Sequence, residues 1–200
     1  MAAQNHDLPF QRGSTAFSGV TTIGSTDLAH LEGMEFVVPD TQYATGEDVR
    51  LRIVRNTTGA AITGGGRLVT FANFRLRAAD GYCDTTLEFT RPVDDAYGTT
   101  FSIAANDLFY IVVSGPCLIY TAHSADAANV LTVGDFVQGA TAATSGATTA
   151  GRMENATFAI TGNTAPNLIK QVNAVIGRAL TARTTANTNT LTLVRVGLPY

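Results

Sequence analysis

The feature of this sequence that most constrains its fold is a series of short runs rich in β-branched and aromatic residues, separated by turn-forming residues. The runs recur about every ten to fifteen residues, a spacing typical of an all-β sandwich or barrel. We therefore predict an all-β fold, a sandwich or a small barrel of jelly-roll-like or tulip-like form, with very little helix. Between residues 34 and 122 the runs are MEFVV, DVRLRIV, RLVTF, TTLEFT, TFSIA, LFYIVVS and CLIYTA.

The run at residues 48–54 shows the alternation of a half-buried strand. Val49, Leu51 and Ile53 would lie on one face, while Arg50, Arg52 and Val54 would lie on the other. Glycine and asparagine between the runs provide the positive φ angles that hairpins need. We predict turns at residues 56–59, at residues 64–66 and at Asp80-Gly81.

The order of these signals divides the chain into three segments. Residues 1–30 are polar and interrupted by glycine, and we predict an extended N-terminal arm. Residues 31–125 and 126–200 are predicted to be two β-rich domains. Within the second, we expect strands at residues 130–138 (with Gly134-Asp135 inside), 157–161, 174–183 and 190–196, a short helix at residues 167–174, and a surface loop at residues 139–151.

Composition excludes several classes of protein. A chain of 200 residues can bury a sizeable core, and its net charge of −3 offers no diffuse attraction for nucleic acid. No run approaches the roughly 18 apolar residues of a membrane helix, and residues 1–13 do not read as a signal peptide. We expect a protein made in the cytoplasm, in which Cys83 and Cys117 are buried thiols rather than a disulfide.

The residues that catalysis requires are sparse. His123, Ser124 and Asp126 are close in sequence, but a catalytic triad is assembled across a fold, and adjacent side chains rarely reach its geometry. The paired acids Asp94-Asp95 and Glu47-Asp48 lack the spacing of a calcium loop and are better interpreted as turn residues. We therefore predict a protein that is not an enzyme and that has no cofactor and no metal.

The basic residues are twelve Arg and a single Lys, Lys170. Arginine tolerates burial at interfaces because its planar guanidinium pairs bidentately and is weakly hydrated. The same bias would follow from GC-rich codon usage. The composition is therefore compatible with a surface that faces other protein molecules, without requiring it.

Two pairs of arginines are candidates for such a surface. Arg50 and Arg52 share a strand face, as would Arg75 and Arg77 in NFRLRAA, so two strands could present an exposed row. One interpretation is cross-strand pairing with acids such as Glu88 or Asp84, and the other is an interface that grips carboxylates of a partner. The candidate interface residues are Arg50, Arg52, Arg75, Arg77, Phe10 in the arm and Tyr200 in the tail.

The C-terminal third carries the most specific motifs. VGDFV at residues 133–137 and VIGRALTARTTANTNTLTLVRVGL at residues 175–198 resemble the small β-rich decoration, or cement, proteins of tailed-bacteriophage heads. In that family a Gly-Asp strand is followed by a Gly/Ala/Thr loop, a Gly-Arg-Ala-Leu strand and a closing strand. The match spans about residues 130–200, and residues 34–125 would be an added β-rich domain.

This resemblance implies a non-enzymatic structural protein on the capsid surface of a virion. Its partners would be the major capsid protein and further copies of itself, as a trimer by preference or as a dimer, with no nucleic acid or membrane. The family has no catalytic residues to carry over. The Gly-Asp and Gly-Arg positions are expected to form turns and strand starts.

Other functions stay open at this point. A tail-tube or another virion structural subunit of 200 residues would have a similar composition. A carbohydrate-binding β-sandwich could use Tyr82, Tyr97 and Tyr110, although the chain contains no Trp. A β-sandwich hydrolase would need a triad, which the sequence does not provide.

Overall fold

A computed structural model describes residues 30–71, 75–84, 89–121, 130–140, 150–156, 165–183 and 190–197 of the chain. Within these ranges the chain forms twelve strands and one helix, which confirms the all-β prediction. The elements are β1 Glu35–Pro39, β2 Asp48–Asn56, β3 Ile62–Thr63, β4 Leu68–Phe71, β5 Ala78–Tyr82, β6 Thr90–Pro92, β7 Ser102–Ile103, β8 Leu108–Tyr120, β9 Phe136–Gly139, β10 Met153–Asn155, α1 Ala165–Ala174, β11 Val175–Ala179 and β12 Leu191–Val196.

Among the described residues, ten strands form one mixed sheet in the order β10-β9-β11-β12-β8-β2-β5-β4-β6, with β1 also paired to β2. β3 and β7 form a separate two-stranded sheet. β2 and β5 run parallel, whereas the pairs on either side of them, β2 with β8 and β4 with β5, are antiparallel.

The centre of this sheet is the thirteen-residue strand β8. Its first half pairs with β2, from Leu108 opposite Arg55 to Ser114 opposite Arg50. Its second half pairs with β12, where Gly115 lies opposite Val196. The sequence predicted two strands here, at residues 108–114 and 117–122. The structure joins them into one strand through Gly115, which has a φ of 106° where the pairing passes from β2 to β12.

Two isolated bridges close the sheet on either side of β8. Val93, which follows β6, pairs with Ile111, so β8, β2, β5, β4 and β6 form a closed ring. Met153 in β10 pairs with Thr121 at the end of β8, so β8, β12, β11, β9 and β10 form a second ring. The described residues thus form two small five-stranded, barrel-like rings that share one strand.

Apolar residues pack into two clusters that follow this division. The first ring encloses a cluster to which β2, β4 and β8 contribute Val54, Val69, Phe71, Phe109 and Ile111. A larger cluster lies against the second ring and continues beneath β1 and β2, and its members include Val38, Leu51, Tyr110, Cys117, Ile119, Val137, Met153, Ile176 and Val194. Alternation of exposed and buried residues therefore holds only in the first half of β2. In its second half Ile53 and Val54 are both buried, because this part of the strand packs between the two clusters.

The predicted division near residue 125 does not interrupt the sheet. β8 from the first segment and β12 from the second are neighbouring strands, and the larger cluster contains residues of both segments. Residues 122–129, where the boundary was predicted, lie outside the described residues, as do the arm at residues 1–29 and most of the predicted loop at residues 139–151.

Two local predictions were wrong. Asp80-Gly81 is not a hairpin turn but lies inside β5, where Thr70 pairs with Gly81 and Phe71 with Ala79, so that Asp80 is a β-bulge. Gly134-Asp135 is not inside a strand but forms the turn before β9, because Gly134 has a φ of 95°.

The helix is longer than the sequence indicated. The prediction was a helix at residues 167–174 and none longer than about two turns, whereas α1 spans the ten residues Ala165–Ala174. β11 follows it directly, so that the predicted strand at residues 174–183 is reduced to Val175–Ala179. The predicted strand at residues 157–161 lies outside the described residues.

Both cysteines are buried, and no disulfide joins them. Cys83 follows β5 and Cys117 lies in the second half of β8, and both belong to the larger apolar cluster. This confirms the prediction of two buried thiols.

Candidate interaction surfaces

Arg50 and Arg52 lie on one face of β2, as the alternation predicted, and both face Glu35 on β1. The register places Glu35 directly opposite Arg52. The Arg52 guanidinium forms an ion pair with the Glu35 carboxylate and also donates to the Arg75 carbonyl over 2.8 Å, while the Arg50 guanidinium lies 3.9 Å from the same carboxylate. Of the two interpretations, cross-strand pairing therefore applies to these arginines, but the acid is Glu35 rather than Glu88 or Asp84.

Arg75 and Arg77 are not on a strand, contrary to the prediction. Arg75 lies in a turn and Arg77 precedes β5, which begins at Ala78. Leu76, between them, is buried and has a φ of 48°, so the chain cannot continue the alternation of a strand here. The predicted row of four arginines is thus reduced to Arg50 and Arg52.

β1 provides an apolar element beside these two arginines. Val37 pairs with Arg50 across the strands and is 59% exposed, while its neighbour Val38 points into the core and is buried. We call the exposed face of Glu35, Val37, Arg50 and Arg52 the β1–β2 surface. It combines a carboxylate and an exposed apolar side chain with fixed guanidinium groups, and arginine is enriched at protein interfaces.

A second exposed row crosses β9, β11 and β12. Arg178 in β11 lies directly opposite Arg195 in β12, and both side chains are exposed. The Arg178 guanidinium lies 4.2 Å from the ring centroid of Phe136, and the Arg195 Nε lies 3.0 Å from the Glu47 carboxylate. Sequence reasoning missed this row, although both arginines occupy outward positions of predicted strands.

Arg195 and Glu47 also line a cleft where β2, β8 and β12 meet. The cleft has a volume of about 340 Å³ and is open to solvent. Its lining combines a guanidinium, two carboxylates, a hydroxyl and two glycines, contributed by Glu47, Asp48, Ser114, Gly115, Arg195, Val196 and Gly197. The guanidinium is already paired with Glu47, so the cleft continues the polar row rather than forming a separate reactive centre.

The adjacent acids Asp94 and Asp95 are structural. A short 3₁₀ turn begins at Asp95, and the Asp94 carboxylate accepts a hydrogen bond from the Ala96 amide. The Asp95 carboxylate is buried, where its Oδ2 accepts from the Leu118 amide over 2.7 Å and from the Tyr43 hydroxyl. Asp95 thereby satisfies a backbone donor of β8, and the interpretation of this pair as turn residues is confirmed.

Two arginines are buried inside the protein, and a third, Arg67, is half-buried. Arg152 and Arg183 are only 3% and 4% exposed. Burial lowers the pKa of both guanidinium groups, and for Arg152 the positive charge of Arg67 adds to this effect. Arg67 itself lies over the rings of Tyr82 and Tyr120, at 5.7 and 5.2 Å. Arg152 and Arg183 are therefore part of the interior and not of a candidate surface.

Asp107 is a buried carboxylate at the start of β8. It is 5% exposed, and in the described structure its Oδ2 has no hydrogen-bond partner. Burial raises its pKa above the usual 3.8, and a hydrogen bond from the Ala104 backbone and the charge of Arg55 offset this only in part. Ionised Asp107 is therefore a small local cost to the folded state.

This cost predicts a pH dependence for the variant Asp107→Asn. Because the folded-state pKa is raised, the contribution of Asp107 to the free energy of unfolding is complete below pH 3.8 and falls as pH rises through the folded value. Relative to the wild type, the variant should gain about 1 kcal/mol between acidic and neutral pH, the order of the cost of a buried polar group without a partner. Urea unfolding at several pH values measures this difference. Asp48→Asn, at an exposed position, is the control, and identical pH profiles for Asp107→Asn and the wild type would contradict the prediction.

Several sequence candidates lie outside the described residues. They include Phe10, Tyr200 and the group His123, Ser124 and Asp126. Among the described residues no three His, Cys, Asp or Glu side chains are grouped to hold a metal ion. The described helix is too short to cross a membrane.

Comparison with known proteins does not assign this chain to a family. No protein-family model matches this chain, and no curated protein matches it with significant similarity.

Proposed function

We propose that this protein is a non-enzymatic structural protein of a bacteriophage virion, which binds the outer surface of the capsid and stabilises the expanded head by bridging capsid subunits. Its partners are the major capsid protein and further copies of itself, as a trimer or a dimer. It is made in the host cytoplasm and resides on the virion.

The observation that carries this proposal is the packing of the two motifs that resemble decoration proteins. The Gly134 amide donates to the Ala179 carbonyl over 2.8 Å, and Arg178 pairs with Phe136 across β11 and β9. Segments that are about forty residues apart in the sequence thus form one continuous unit. The Gly-Asp turn and the Gly-Arg strand are neighbours, which fits the expectation that both positions shape the fold.

The exposed surfaces also support a binding role. The β1–β2 surface and the row on β11 and β12 present guanidinium groups at fixed positions, and Val37 and Val133 are 59% and 67% exposed. Arginine and exposed apolar side chains together are typical of protein interfaces. A lattice binder needs only modest affinity at each contact, because an oligomer that engages several subunits gains from effective concentration.

Mixing the purified protein with expanded, undecorated heads tests the proposal. We expect the protein to sediment with the heads and to raise their melting temperature, because a ligand that binds only the assembled state stabilises it by mass action. Unexpanded heads are the control and should bind less. Absence of both co-sedimentation and a thermal shift would refute the proposal, and tubes or rings in negative-stain images of the protein alone would support a tail-tube subunit instead.

A further inference from the structure

The row on β11 and β12 contains a like-charge pair of which the fold neutralises only one member, Arg195. Arg178 and Arg195 are opposite each other in the register of two antiparallel strands, so their Cα atoms are about 5 Å apart. Like charges that face each other across strands destabilise a sheet. Both side chains are exposed, so neither is required for filling the core.

The carboxylates close to the two arginines, Glu47 and Asp48, lie on the Arg195 side, in the cleft that Arg195 lines. Arg195 pairs with Glu47 over 3.0 Å. Arg178 lies over the ring of Phe136 at 4.2 Å, and among the described residues no carboxylate lies within ion-pair distance of it. The two guanidinium groups therefore lean apart, one toward β9 and one toward Glu47, and the charge left without a paired carboxylate among the described residues is that of Arg178.

We propose that Arg178 and Arg195 form a docking point for an acidic segment of a partner protein. A carboxylate placed between the two strands would be in reach of both side chains, since these rise from directly opposed backbone positions. It would remove the repulsion between them and replace it with charge-assisted hydrogen bonds. Occupation of the point thus gains both from the new bonds and from relief of the like-charge pair.

The neighbouring residues favour a protein partner over a nucleic acid. Val133 is 67% exposed and adjoins Gly134, whose amide donates to the Ala179 carbonyl beside Arg178. Phe136 is half-buried beneath the Arg178 guanidinium. An aromatic ring, an exposed valine and two arginines match the composition of protein interfaces.

This inference deepens the proposed function and rests on it for the identity of the partner, which would be an acidic segment of the capsid subunit. The chemistry of the docking point does not depend on that identity. The two can therefore be tested separately.

The first experiment uses a hexaglutamate peptide as the probe and follows backbone amide shifts by nuclear magnetic resonance. We expect saturable shifts at Arg178 and Arg195 that are absent in the variant Arg178→Gln/Arg195→Gln. Inorganic phosphate and a short DNA duplex are the comparison ligands. Equal or stronger binding of either, or no binding of the peptide, would overturn the assignment to an acidic protein segment.

The second experiment measures binding to expanded heads. Arg178→Gln and Arg195→Gln should each weaken binding about tenfold or more, and Arg178→Lys should recover part of it. Lys170→Gln removes the same charge from an exposed position on α1 and should bind as the wild type does. The melting temperatures of the isolated variants should stay within about 3 °C of the wild type, because exposed charges contribute little to stability.

The outcomes separate the two proposals. If both glutamine variants bind heads as tightly as the wild type does, the docking point is overturned and the proposed function still stands. Failure of the wild type to bind heads, together with peptide binding that depends on the two arginines, would refute the proposed function and support the docking point.

Discussion

Replacing Gly115 with alanine is expected to lower the free energy of unfolding by about 3 kcal/mol, the sum of backbone strain and steric overlap. Gly115 has a φ of 106°, which L-residues rarely adopt. A Cβ atom added there would lie 2.5 Å from the Asp48 carbonyl oxygen and 2.9 Å from the Val49 Cα. Both neighbours are backbone atoms, so they cannot move aside as a flexible side chain could.

Chemical denaturation of the purified variant measures this loss. Gly134→Ala is the matched control, because Gly134 also has a positive φ, of 95°, but an added Cβ would have no atom within 4 Å. The control should lose only about 1 kcal/mol, which is the cost of the backbone conformation alone. Equal losses in the two variants would show that the close approach between β8 and β2 is not rigid.

Replacing Gly177 with alanine should have an equal or larger effect, about 3 to 5 kcal/mol, in the range that marks disruption of a packed backbone. An added Cβ would lie 1.9 Å from the Arg195 carbonyl oxygen and 2.8 Å from the carbonyl carbon. Gly177 has no positive φ, so this loss would come from the close approach of β11 to β12 alone.

The measurement is the soluble yield and the urea midpoint of the variant. Gly81→Ala is the control within a strand, since the nearest atom to its added Cβ is the Thr70 hydroxyl, at 3.2 Å. A soluble control beside an insoluble or strongly destabilised Gly177→Ala would confirm the expectation. A Gly177→Ala protein as stable as the control would contradict the observed spacing of the two strands.

Strand positions were predictable from the sequence where alternation and β-branched residues coincide. The runs at residues 34–38, 48–54, 67–71 and 190–196 all contain strands at or within one or two residues of the expected positions. The errors arose where one local signal competes with pairing. Asp80-Gly81 has the composition of a hairpin turn, but its neighbours pair with β4, and the extra residue is accommodated as a bulge.

The candidate surfaces were less predictable, because register is not a local property. Alternation placed Arg50 and Arg52 on one face, but only the pairing of β1 with β2 shows that Glu35 holds them. Arg178 and Arg195 are seventeen positions apart, and they face each other only because β11 and β12 pair in this register. The sequence signal for this pair was that Arg178 and Arg195 both occupy outward positions of predicted strands, one on each side of the polar residues 181–190.

The shared strand β8 also determines how the protein unfolds. Each ring uses part of the same thirteen residues as a wall, so one ring cannot lose β8 without exposing the interior of the other. The two halves are therefore not independent folding units, and unfolding should be a single cooperative transition in spite of the two apolar clusters. In the proposed role on a capsid, a force applied to one ring would be transmitted to the other through the covalent backbone of β8.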